Sequence, residues 1–182
     1  KNEIIKSKKN IIILVIANYS GVYKSFIDYY WKHLINFTNK NYKDIKIYLC
    51  FGEDPKEINI PKENIIITNT KEDTIPGILK KTIISMQYIV NNYDYDFFFR
   101  TNLSSFLIIE NLIKIKNNLP SNNVFAGVLG KDFVSGSGFW LSKDVVNYIL
   151  ENKSSINYSI IDDVAIGRFL LTLIPMDKRI KL

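Results

Sequence analysis

Apolar residues fall in short blocks that switch between two spacings, and the switching predicts strands alternating with helices. The run IIILVIA (residues 11–17) is unbroken and rich in β-branched residues, as in a strand buried on both faces of a parallel sheet. After a turn-like break at residues 18–21, Val22, Phe26, Tyr29, Tyr30, His33 and Phe37 are spaced for one face of a helix over 22–37. IKIYLCFG (45–52) predicts a second strand and residues 64–68 a short third. A second helix follows, with Asp73 and Thr74 as caps, Pro76 in its first turn and a stripe of Leu79, Ile83, Met86 and Val90. YDFFFR (95–100) is a fourth strand.

Beyond it the pattern predicts a helix over 106–116, an extended stretch over 123–128, and a strand or hairpin over 133–141 loosened by Gly136 and Gly138. Two more helices are expected, over 143–151 behind a Ser142 cap and over 163–171 behind Asp162. Strands and helices in this order give an α/β fold with a mostly parallel central sheet flanked by helices, and such sheets bind ligands beyond the carboxyl ends of their strands. The loops after Ala17, Gly52 and Arg100 therefore become the candidate site.

Length supports one domain, because 182 residues form one substantial core. Residues 1–10, with Lys6, Lys8 and Lys9, read as a flexible, solvated arm. A net charge of +6 steers anionic partners, but the lysines are scattered and no nucleic-acid patch forms. Cys50 is the single cysteine, so no intrachain disulfide exists and a reducing, cytoplasmic setting is favoured. In its predicted strand it reads as a small buried hydrophobe. The apolar runs are far shorter than the roughly 20 residues that cross a bilayer. No signal or anchor is visible, and a secretory lumen is the alternative if the chain, which begins at Lys1, is a fragment. Neither a GxGxxG nor a GxxxxGK[ST] phosphate loop is present.

Three segments carry the candidate chemistry: EDTIPGILKKTI leading into YDFFFRTNLSSF, then VSGSGFWLS, then IDDVAIG. Their order and spacing resemble the β-1,3-galactosyltransferase and fringe-like family of GT-A glycosyltransferases. Arg100, Thr101 and Phe106 match the family's KTDDDxF, Gly136 and Gly138 its CSGGGYxLS, and Asp163 and Gly167 its EDVxxG. The resemblance covers most of the chain. It implies a GT-A fold, a UDP-sugar donor, a carbohydrate acceptor, and an inverting transfer of a hexose or N-acetylhexosamine with Asp163 as general base.

On the residues alone, Asp162 and Asp163 read first as a cap favouring a helix N-terminus; the resemblance places Asp163 as base and leaves Asp162 as its capping neighbour. It also implies that Gly136, Ser137 and Gly138 contact the donor, with Phe139 or Trp140 offering a ring to the sugar, and that Asn18 meets the base or ribose. As plain sequence, the glycines read as a bulge, the aromatics as core and Asn18 as a turn residue. In the relatives, acidic oxygens after the fourth strand hold a divalent metal, Mn²⁺ or Mg²⁺. Here Asn102, Leu103 and Ser104 stand in those places, and neutral oxygens replace the charges that hard cations prefer. Three consequences stay open: metal held by other carboxylates, metal-free transfer with Arg100, Lys80, Lys81 or Lys131 neutralising the diphosphate, or a non-catalytic nucleotide-sugar or glycan-binding module.

Overall fold

The computed structural model describes residues 7–182, which form one seven-stranded mixed sheet with helices on both faces. In sequence these are β1 (Ser7–Ile16), α1 (Gly21–Phe26), a π-helical turn (Ile27–Trp31), α2 (Lys32–Asn41), β2 (Ile45–Phe51), β3 (Ile65–Ile67), α3 (Gly77–Asn92) and β4 (Tyr93–Asn102). Then follow α4 (Ile109–Asn118), β5 (Phe125–Leu129), β6 (Val134–Ser142), α5 (Lys143–Glu151), α6 (Asp162–Phe169) and β7 (Ile180–Lys181). Of the expected arm, residues 7–10 belong to β1, and residues 1–6 lie outside the described residues.

The sheet order is β3-β2-β1-β4-β6-β5-β7. Strands β1 to β4 run parallel, whereas β6 runs antiparallel to both β4 and β5. Alternation along β1 divides the core. Ile12, Leu14 and Ile16 pack with Leu79, Met86, Val146 and Ile166 from α3, α5 and α6 on one face. Ile11, Ile13 and Val15 pack with Ile27, Trp31, Ile35 and Leu112 on the other. Period-2 alternation thus builds a three-layer sandwich from an apolar run that looked featureless in sequence.

Two expectations are corrected. The helical stripe over 22–37 is not the buried face: Val22, Tyr29 and Phe37 are exposed, His33 is exposed, and Ile27, Trp31, Ile35 and Thr38 are buried instead. The π turn, which has more residues per turn than an α-helix, shifts the phase of every position after it. The helix expected from Phe106 begins only at Ile109, because residues 103–107 are held as a loop against the π turn. Trp31 Nε1 donates to the Leu103 carbonyl at 2.9 Å, and the Tyr30 hydroxyl donates to the Leu107 carbonyl at 3.0 Å while accepting from the Leu107 N–H.

Candidate functional site

After β1 the chain moves to one side of the sheet for β2 and β3, then returns to the other side of β1 for β4. Two loops therefore part beyond the carboxyl ends of β1 and β4, which is where open α/β sheets form a ligand crevice. A cavity of about 520 Å³ lies there. Ile16, Ala17 and Asn18 from the end of β1 and its loop and Arg100, Asn102 and Ser104 from the end of β4 and its loop line it, with Gly136 and Ser137 of β6 and Asp162 and Asp163 of α6. Its volume is in the range that holds a small ligand.

Arg100 anchors the floor. It is 3 % exposed, lies over the Phe139 ring at 5.6 Å, and pairs its guanidinium with the Asp162 carboxylate and the Gly136 carbonyl. Burial pushes the Asp162 carboxyl up from its ordinary range, against the pull of Arg100. Asp162 is the first residue of α6, and its carboxylate is the ion-pair partner of Arg100. Gly136 is the shared point. Its carbonyl accepts from Arg100, and its N–H donates to Asp163 Oδ2 at 2.9 Å. A Cβ there would lie 2.6 Å from Arg100 Nη1 and 3.4 Å from Asp163 Oδ2, so only glycine leaves room for both. Asp163 Oδ1 also accepts the Val164 N–H at 2.8 Å. The Asp163 carboxylate is therefore fixed by one N–H at each oxygen, and each oxygen keeps lone-pair capacity.

A second buried cation stands across the cavity. Lys81 donates to the Ala17 carbonyl at 2.9 Å and pairs with Glu72, whose other oxygen accepts the N–H of Gly52 and of Glu53. This arrangement ties the ends of β1 and β2 to α3. The lining therefore carries Glu72, Asp73, Asp162 and Asp163 against Lys81 and Arg100, and both cations are already paired.

Asn102 and Ser104 both line the cavity, but their oxygens face each other. Asn102 Oδ1 accepts from the Ser104 N–H at 3.2 Å, the Ser104 hydroxyl at 2.7 Å and the Ser105 hydroxyl at 3.2 Å, while its Nδ2 donates to the Gly136 carbonyl at 3.2 Å. Leu103 is buried. The segment is a self-satisfied polar turn. These residues do not fit a divalent metal, because the amide oxygen that would ligate it is saturated by donors. Among the described residues no group of three His, Cys, Asp or Glu side chains is placed to hold a metal.

No protein-family model matches the chain, and no curated protein matches it. The site therefore rests on its own geometry.

That geometry brings together Asn18, Arg100, Asn102, Ser104, Gly136, Ser137 and Asp163 from the sequence-derived set. It leaves others outside. Lys80 and Lys131 are exposed and do not line the cavity, and the cation that α3 turns toward it is Lys81, one residue on. Gly138 is absent from the lining: it pairs with Thr101, and a Cβ there would meet the Phe99 ring at 2.9 Å. Phe139 and Trp140 are wholly buried, packing on Phe125 and Phe99, and so offer no ring to a sugar. Gly167 has the packing role its helical position suggested, since a Cβ would press on Phe133. Sequence reasoning missed Glu72, Tyr23 and Ser135, which also line the cavity. Only the Glu72 to Lys81 interval, an acid shortly before a helical lysine, carried any signal.

Among the described residues no helix is long and apolar enough to cross a membrane.

Proposed function

We propose that the chain is an inverting glycosyltransferase that moves a hexose or N-acetylhexosamine from a UDP-sugar to a carbohydrate hydroxyl. The observation that carries this reading is the meeting, in one cavity at the point where strand order reverses, of segments far apart in sequence: Asn18, the Asn102–Ser104 turn, Gly136–Ser137 and Asp163. The last three belong to the segments whose motifs resemble the GT-A family, and Asn18 stands where that resemblance places contact with the base or ribose.

In the proposed reaction the acceptor oxygen attacks the anomeric carbon and the bond from that carbon to the diphosphate oxygen breaks. The nucleoside diphosphate leaves with the electron pair, and the acceptor proton passes to Asp163. A carboxylate is a sufficient base because the hydroxyl becomes acidic as its bond to carbon forms. Gly136 N–H and Val164 N–H hold that carboxylate in place, and Arg100 fixes Gly136 from the other side.

A specific feature favours a second reading. Lys81 and Arg100 are both committed to carboxylates, so the lining offers a diphosphate no unpaired cation among its described residues. That suits the glycan-binding form of a non-catalytic nucleotide-sugar or glycan-binding module, since a nucleotide sugar brings the same diphosphate. Turnover separates the two. With a panel of UDP-sugars and saccharide acceptors, wild type is expected to release UDP and Asp163→Asn to release none while still binding UDP. Equal turnover by Asp163→Asn removes the base assignment, and UDP binding without turnover by wild type selects the module.

A further inference from the structure

Two aromatic side chains in or near the cavity loops are left exposed by the core. Tyr23 lines the cavity and is 42 % exposed; Phe106, two residues past the lining residue Ser104, is 72 % exposed. They are linked to the helical run that carries the π turn. Tyr23 meets Phe26 edge-on at 6.1 Å, and Tyr30 meets Phe106 at 4.7 Å with the rings tilted by 65°. Tyr23 and Phe26 lie on α1, and Tyr30 lies within the π turn that follows it.

Phe106 is exposed yet not loose. Tyr30, the ring it packs against, has its hydroxyl bonded to both the carbonyl and the N–H of Leu107, and Trp31 holds the Leu103 carbonyl just before it. The loop thus displays an apolar ring on a fixed backbone, and the π turn is what lets the adjacent residues Tyr30 and Trp31 both reach it. Hydroxyls stand around it: Ser104 lines the cavity, Ser105 donates to the Ser137 carbonyl at 2.8 Å, and Ser135 and Ser137 share a hydrogen bond of 3.1 Å. A serine hydroxyl so engaged still has lone pairs to accept from a ligand.

Aromatic faces carry partial negative charge and attract the polarised C–H groups on the apolar face of a pyranose ring, while the ring's hydroxyls bond to neighbouring polar groups. Tyr23, Phe106 and the serines supply both halves of that recognition. An acceptor whose hydroxyl reaches Asp163 from outside must also leave its remaining sugar units at the mouth, where this surface lies.

We propose that Tyr23 and Phe106, the latter backed by Tyr30, form a saccharide-binding ridge beside the cavity, on which pyranose rings of the acceptor stack. The ridge rests on the glycosyltransferase reading for its name as an acceptor site, but its binding is testable without turnover. The probe is an immobilised array of galactose-, glucose-, mannose- and N-acetylglucosamine-terminated oligosaccharides, read with labelled wild type, Phe106→Ala, Phe106→Trp and Tyr30→Phe. Circular dichroism and UDP titration are run on each protein.

Wild type is expected to bind a defined subset of the glycans. Phe106→Ala is expected to bind it about tenfold more weakly, the loss typical of one aromatic anchor. Phe106→Trp should retain binding, Tyr30→Phe should weaken it by loosening the loop, and all four should keep their fold and the UDP response of wild type. No glycan bound by wild type, binding unchanged in Phe106→Ala, or recruitment to phosphatidylcholine vesicles in place of glycans would overturn the ridge. Absent UDP binding with glycan binding intact would instead fault the donor half of the proposed function and leave the ridge standing.

Discussion

Arg100 is held between the Phe139 ring and the Asp162 carboxylate with almost no contact with water, so removing one partner strands the other's charge. Asp162→Ala is expected to cost about 3–5 kcal/mol in urea unfolding, whereas replacing both residues by apolar ones of similar volume should cost far less. A single variant no weaker than the double would show that the pair is not carrying a buried charge. Gly136→Ala is a finer probe, because its new Cβ must displace Arg100 Nη1. About 1–3 kcal/mol of stability is expected to go, as for other overpacked sites. Turnover, measured alongside, should fall further than stability predicts, since the new Cβ stands 3.4 Å from the Asp163 oxygen that the residue 136 N–H holds. Little of this was legible in sequence. Asp162 and Asp163 formed an acidic pair before an apolar run, and nothing local distinguishes the one that will face Arg100 from the one that will face the cavity.

At the scale of elements, β1, β4 and α3 were readable because long apolar runs and a clear stripe leave little choice. Leu79, Ile83 and Met86 are buried as their spacing predicts. Helix α5 spans Lys143–Glu151, as its pattern implied, although the Ser142 hydroxyl accepts the Val124 N–H and does not cap the helix. The run from Gly21 to Asn41 misled because a π turn is a tertiary choice: it puts Tyr30 and Trp31 both onto the 103–107 loop, a contact no local pattern announces. Trp31→Phe should lower stability by about 2 kcal/mol, combining a smaller ring with a buried Leu103 carbonyl left without its donor; denaturant titration checks it. In β2, burial pushes the Cys50 thiol up to about 12. Iodoacetamide at about pH 8 should leave the native protein unmodified by mass spectrometry and label it once on unfolding. Labelling of the folded chain would contradict the burial of β2.

For the whole molecule, the sequence pattern implied an α/β sheet but not its order or the reversed direction of β6. Pairing direction depends on where distant segments meet, and β7 is too short to leave a pattern. The reversal matters for the site: an antiparallel β6 starts where parallel β4 ends, so Val134–Gly136 opens beside Arg100 and Asn102. The same assembly explains why the Asn102–Ser104 turn needs no ion to hold its shape. It also sets the problem any donor must meet, a lining of four carboxylates whose two cations are already paired. Isothermal titration of UDP into the wild-type chain, with and without Mn²⁺, tests the central claim most directly. Saturable one-to-one binding in at least one condition is the expected result; no binding in either would contradict a nucleotide-sugar site in this cavity.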